Sequence, residues 1–72
     1  MKTIKLNYRH NLETMKQQLK NHNETIRVYG QAGKIVHEIL EPNDTDGKLT
    51  KTCGVFYSAK DCAEYINSRN GF

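Results

Sequence analysis

The chain has 72 residues, enough for one small domain that buries only about 60% of the surface its unfolded chain exposes. With 36% hydrophobic residues and a mean hydropathy of −0.81, one core needs nearly all of the apolar side chains, which leaves little volume for a substrate pocket. The basic residues behind the net charge of +3 are spread along the chain. Phosphate binding usually requires basic residues that are concentrated on one surface. We therefore expect one domain over residues 1–72 that is not an enzyme.

The first predicted elements are a strand and a helix. Polar and apolar residues alternate from Lys2 to Tyr8, which is typical of a strand with one buried face. Asn11 can cap a helix that runs from about Leu12 to His22 and carries a narrow apolar stripe. Such a stripe indicates a helix that packs on one face of a sheet.

The second predicted strand places aromatic and charged side chains opposite the core. From Thr25 to Tyr29 the residues alternate again, so that Ile26 and Val28 point toward a core. Arg27 and Tyr29 then project from the other face of the sheet.

A turn over residues 30–33 leads into the ambiguous segment of the chain, residues 34–41. Its apolar residues fit a helical period about as well as they fit a strand that is apolar on both sides. The β-branched residues and the preceding glycines favour a strand, which would form a hairpin with residues 25–29.

The chain ends with a strand, residues 47–57, and a helix that stops near Asn70-Gly71. Ser58 can cap this helix by accepting a hydrogen bond from the backbone near Asp61. The expected order is β-α-β-β-β-α. It predicts an α+β fold in which an antiparallel sheet of about four strands has two helices on one face and leaves the other face exposed.

The cysteines and histidines do not form a metal-binding pattern. Cys53 and Cys62 lie in elements that should contribute to the core, where free thiols are expected in a reducing compartment. His10, His22 and His37 are far apart, and neither Cys-x-x-Cys nor His-x-x-x-His spacing occurs. We expect no metal, no cofactor and no catalytic residue.

Met1 leads directly into polar sequence, without the apolar run of a secretory signal or of a membrane span. We therefore expect the protein to stay in the cytoplasm where it is made, with no membrane partner.

Tyrosine and arginine provide the candidate binding residues. These residue types often anchor protein interfaces, because each buries area and keeps its polar tip satisfied. Tyr29 and Arg27 leave the same face of the second strand, which makes them the first candidates. The alternative is that Tyr29 is an ordinary exposed or packed aromatic residue.

Short identities with one known family are scattered over most of the chain: Met1-Lys2-x-Ile4-Lys5, Ile26-x-Val28-Tyr29 before a short turn and Lys34-Ile35, Gly47-Lys48, and Phe56-x-Ser58 opening a helix that carries Tyr65. In these residues the chain resembles the small phage-encoded anti-CRISPR proteins, in particular an α+β type that inhibits type I-F surveillance complexes.

The resemblance implies a protein that coats the backbone subunit of the CRISPR complex and blocks hybridisation of target DNA, using tyrosines and an acidic residue on the exposed sheet face. Tyr29 falls on one such tyrosine. The family also has a tyrosine on its first strand; its position falls on Leu6, two residues before Tyr8. The acidic position of the family falls at or next to Leu40. The candidate protein-binding residues are Tyr29, Tyr8, Arg27, Glu38, Glu41 and Tyr57.

We therefore expect a non-enzymatic phage or prophage inhibitor in the host cytoplasm. It would bind a host CRISPR–Cas effector complex or another host protein and sterically block access of target nucleic acid. Two alternatives stay open. One is a small regulator that binds nucleic acid through basic residues, and the other is a homodimerising module that uses the sheet edge. The basic residues in question are Lys2, Lys5, Arg9, Arg27 and Lys51.

Overall fold

A computed structural model describes residues 3–7, 9 and 11–72 of the chain. The elements are α1 (Leu12–Lys20), β1 (Thr25–Gln31), β2 (Lys34–Pro42), β3 (Leu49–Phe56) and α2 (Ala59–Arg69). The strands form one antiparallel sheet in the order β1-β2-β3, and both helices contribute to a core on one of its faces. The predicted α+β class with two helices is confirmed, but the sheet has three strands in the described part of the chain rather than about four.

The predicted first strand, Lys2–Tyr8, is wrong for its described residues 3–7, which form no strand. The alternation nevertheless indicates correctly which side chains of this segment are buried. Leu6 is 3% exposed and belongs to the core, and Ile4 packs against the core. Lys2 and Tyr8 lie outside the described residues.

Side chains of the two helices take the place of a neighbouring strand for this segment. The Leu6 backbone N–H donates to Asn67 Oδ1 (2.6 Å), and Asn67 Nδ2 donates back to the Leu6 carbonyl oxygen (2.7 Å). The Ile4 N–H donates to Gln18 Oε1 on α1 (3.2 Å). The segment therefore lies against both helices, and amide side chains of the helices form hydrogen bonds with the backbone groups of Ile4 and Leu6.

Both predicted helix caps are present. Asn11 Oδ1 accepts a hydrogen bond from the Thr14 N–H (2.9 Å), and Ser58 Oγ accepts one from the Asp61 N–H (3.1 Å). Each cap satisfies one of the N–H groups that the first turn of a helix leaves unpaired. Helix α1 ends at Lys20, two residues before its predicted end.

The ambiguous segment is a strand, as predicted, and it pairs with β1 over seven residue pairs. The turn between them contains only Ala32 and Gly33, whose φ angles of 54° and 78° are those of a type I′ turn. Because this turn matches the twist of the flanking strands, β1 continues to Gln31, beyond the predicted end at Tyr29.

The core lies between the sheet and the helices, at the end of the hairpin away from its turn. Ile26 and Ile39 face each other there and are 2% and 0% exposed. Toward the turn the same face opens to solvent, and Ile35 is 57% exposed. Val28, predicted to point into the core, is on the expected face but remains 39% exposed, because it lies in this uncovered part.

Candidate binding face on the open side of the sheet

The sheet face opposite the helices carries most of the predicted site residues. Successive residues of a strand point to opposite faces, so that Ile39 faces the helices and Glu38 points away from them. We call this second surface the open face. It is formed by Arg27, Tyr29, Lys34, Val36, Glu38, Leu40, Thr52, Val55 and Tyr57.

Glu38 is the centre of the open face and is only 6% exposed. Its carboxylate accepts a hydrogen bond from Arg27 Nε on β1 (2.5 Å) and another from the Thr52 hydroxyl on β3. These two bonds, from Thr52 first and Arg27 second, lower the pKa of Glu38 below its ordinary value of 4.5. An ionised carboxylate thus links all three strands through their side chains.

Arg27 is held by two contacts that fix its guanidinium group in place. Besides its bond to Glu38, it lies over the ring of Tyr29, with its central carbon 5.1 Å from the ring centroid. The Arg27 side chain nevertheless stays 61% exposed. Directly across from Tyr29 on β2 is Val36, which is 2% exposed and supports the ring from the neighbouring strand.

A second aromatic group extends the open face toward β3. Tyr57 is 62% exposed, and Lys34 Nζ lies 5.4 Å from its ring centroid. Val55 nearby on β3 is 44% exposed. The open face therefore presents two tyrosines, each with a cation over its ring, on either side of a buried carboxylate.

The structure brings together four of the six predicted site residues and separates a fifth. Arg27, Tyr29 and Glu38 are in one contact network, and Tyr57 lies on the same face. Glu41 lies on the helix side of the sheet, where its carboxylate is 3.6 Å from Lys51 Nζ. The sixth residue, Tyr8, lies outside the described residues.

Sequence reasoning missed Thr52 and Val36. The role of Thr52 depends on the register between β2 and β3, where a bulge next to Ile39 and Leu40 shifts the pairing by one residue. Val36 is part of an apolar run that could be assigned to either face until the hairpin register is known.

A cluster on the helix side of the sheet is the arrangement in the described residues that could hold a metal ion. Glu24, Glu41 and Cys53 bring their ligand atoms within 4.8 Å of one another. However, Arg69 binds the Glu24 carboxylate and Lys51 approaches that of Glu41. Burial and the nearby Glu24 carboxylate also raise the pKa of Cys53 to about 11, which favours the thiol over the thiolate that metals prefer. The cluster is therefore already satisfied by protein cations.

No protein-family model matches the sequence, and no curated protein or solved structure matches it either. In the part of the chain that the structure describes, neither helix has the length and apolar character needed to cross a membrane.

Proposed function

We propose that this chain is a non-enzymatic protein-binding domain that inhibits a host defence complex sterically, in the manner of the anti-CRISPR proteins it resembles. The open face would be the contact surface. The observation that carries this proposal is the fixed arrangement of Tyr29, Arg27 and Glu38, which presents an aromatic ring and a guanidinium group in one geometry.

This arrangement suits protein recognition for an energetic reason. Tyrosine and arginine are enriched among residues whose truncation costs about 2 kcal/mol or more of binding energy. Side chains that are already ordered lose less conformational entropy when a partner binds. Arg27 is ordered by Glu38 and Tyr29 before any partner arrives, yet most of its side chain remains accessible.

The same contacts argue for a binding role of Glu38 rather than a catalytic one. A general acid or base works best when its pKa lies near the operating pH. Hydrogen bonds from Thr52 and Arg27 instead lower the pKa of Glu38, so that it stays ionised at neutral pH. Its chemistry supports a structural anchor beneath the binding surface.

The nucleic-acid alternative receives less support from the charge distribution. Arg27 is bound to Glu38 on the open face, whereas Lys51 lies near Glu41 and Asp44, away from that face. Two of the five basic residues considered for phosphate binding are thus partly neutralised and lie on different sides of the sheet. Phosphate binding favours cations that act together along one surface.

The experiment that tests the proposal is capture of a partner with tagged protein from nuclease-treated lysate of a bacterial host, at low and high salt. Three baits are compared: the unchanged chain, Tyr29→Ala, and Phe72→Ala as a matched control. Phe72 is an aromatic residue as well; it is 55% exposed, whereas Tyr29 is half-buried, and it follows α2 and lies off the open face.

We expect the unchanged chain and Phe72→Ala to recover the same protein complex in stoichiometric amounts at both salt concentrations, and Tyr29→Ala to lose it. Where the captured complex is a CRISPR effector, adding the protein should also prevent binding of target DNA. Recovery of nucleic acid alone, lost at high salt, would contradict the proposal in favour of the regulator. Equal recovery by Tyr29→Ala would contradict the assigned surface.

A further inference from the structure

The guanidinium group of Arg27 has hydrogen-bonding capacity beyond its contact with Glu38. A guanidinium group carries several N–H donors in a fixed plane, and Arg27 binds the Glu38 carboxylate through Nε. In the part of the chain that the structure describes, no second carboxylate forms an ion pair with Arg27. The edge formed by Nη1 and Nη2 thus has no carboxylate partner of its own. Such an edge can bind one carboxylate through both of its oxygens.

A groove of about 290 Å³ is lined in part by this side chain. Its other lining residues are Val28, Tyr29 and Gln31. Arg27, Tyr29 and Gln31 are two residues apart along β1, so their side chains point to the same side of the sheet. The groove therefore combines a cation, an aromatic ring and an amide. Since sites for small molecules usually measure about 300–1,000 Å³, this groove suits a single side chain better than a cofactor.

Glu38 fixes the guanidinium group but is not among the lining residues of the groove. It is 6% exposed, and its carboxylate also accepts a hydrogen bond from the Thr52 hydroxyl on β3. The ring of Tyr29 holds the guanidinium group from another direction, with its centroid 5.1 Å from the central carbon. The Arg27 side chain nevertheless remains 61% exposed. Donors that are both ordered and accessible lose little conformational entropy when an anion binds.

The charges of the open face favour an anion. Arg27 and Lys34 are its two cations, and Glu38 is its one carboxylate. An approaching anion meets the exposed guanidinium group first, because the Glu38 carboxylate is covered. Attraction at short range therefore exceeds the repulsion from Glu38.

We propose that the groove binds the carboxylate of an aspartate or glutamate side chain of the protein partner, held through both oxygens by Nη1 and Nη2 of Arg27. The inference rests on the proposed function for the existence of that partner, and it adds the chemistry of the contact. The aromatic ring of Tyr29 would contact the aliphatic stem of the acidic side chain.

A phosphate of a nucleic acid fits the groove less well. Binding of a nucleic-acid backbone relies on several cations that act together along one surface. The groove has one cation, Arg27, with a carboxylate bound behind it, and Lys34 lies over the ring of Tyr57 instead. The planar fork of arginine matches a single carboxylate.

The first test uses the isolated protein and a short poly-glutamate peptide with blocked ends. Binding is followed by NMR at the Arg27 Nε–H and at the side-chain amide of Gln31, which lines the groove. A poly-serine peptide of the same length is the uncharged control, and a thymidine oligonucleotide of similar length presents phosphates. We expect poly-glutamate to shift both signals, half-maximally at about 10 mM or below, and poly-serine to shift neither. No shift with poly-glutamate would overturn the proposal, and an equal or stronger response to the oligonucleotide would overturn it in favour of phosphate binding.

Two variants with the same change in charge separate the groove from the overall field of the protein. Arg27→Gln and Lys60→Gln each remove one positive charge, but Lys60 is an exposed residue of α2, on the other side of the sheet. We expect Arg27→Gln to lose the poly-glutamate shift at Gln31 and Lys60→Gln to keep it. Equal shifts in the two variants, with native circular dichroism, would overturn the proposal.

Arg27→Lys keeps a cation beside Glu38, so it remains informative if Arg27→Gln fails to fold. An ammonium group has no pair of parallel donors, and we expect this variant to bind poly-glutamate at least about 3-fold more weakly than the unchanged chain. Binding of equal strength would overturn the contact through both oxygens.

The complex captured with the tagged protein gives the second test. Arg27→Lys should weaken the complex by about 10-fold, and Lys60→Gln should leave it unchanged. The contact should persist at high salt, because a partner that covers it limits screening. Poly-glutamate binding without any captured complex would support the groove and contradict the proposed function. A captured complex that Arg27→Lys binds as tightly as the unchanged chain would contradict the groove alone.

Discussion

Asn67→Ala is the substitution for which the structure gives the clearest magnitude. Asn67 is 8% exposed, and its side-chain amide makes two hydrogen bonds to the backbone of Leu6. Alanine would leave two buried backbone groups unpaired, each at about 1–3 kcal/mol, so we expect a loss of about 2–6 kcal/mol in the free energy of unfolding. A chain of 72 residues has a total of about 4–11 kcal/mol.

The assay is urea unfolding followed by circular dichroism, with hydrogen exchange at the Leu6 amide as a local readout. Ser68→Ala is the control, because Ser68 is an exposed neighbour on the same helix. We expect Asn67→Ala to unfold at clearly lower urea and to expose the Leu6 amide to exchange, while Ser68→Ala changes stability by less than about 0.5 kcal/mol. Equal stability of the two variants would refute the role assigned to Asn67.

Three further predictions concern groups elsewhere in the fold. The pKa of Glu38 is lowered in the folded state, so its ionised carboxylate stabilises the fold above pH 4.5, and this stabilisation is lost as the pH falls further. In urea unfolding, the free energy of unfolding of Glu38→Gln should therefore fall less at acid pH than that of the unchanged chain. Burial raises the thiol pKa of Cys53 and Cys62 to about 11, so alkylation at pH 8 should be slow until denaturant is added, and fast labelling of the folded protein would contradict this. Ser58→Ala should lower the free energy of unfolding by about 1 kcal/mol in the same urea assay, through loss of the α2 cap.

The local features of the fold were predictable because they depend on neighbours in sequence. The caps at Asn11 and Ser58 need only the following three residues, and the strand over residues 34–41 follows from its composition and the preceding glycines. The segment around Leu6 was not predictable in the same way. Its alternation correctly indicates one buried face, but its backbone partner is a side chain 61 residues away.

The candidate site shows the same limit. Alternation in β1 was enough to place Arg27 and Tyr29 on one face of the sheet. The alternation could not show whether Glu38 or Glu41 is the acidic residue of the open face, because this depends on the register between β1 and β2. The two-residue turn at Ala32 and Gly33 sets this register and places Glu38 opposite Arg27.

The central claim is that the open face binds a protein partner through Tyr29. The most direct measurement is the dissociation constant of the captured complex for the unchanged chain, Tyr29→Ala and Phe72→Ala, with folding of each checked by circular dichroism. We predict that Tyr29→Ala weakens binding by about 30-fold or more, the equivalent of about 2 kcal/mol, and that Phe72→Ala leaves it unchanged. A folded Tyr29→Ala variant that binds as tightly as the unchanged chain would contradict the claim.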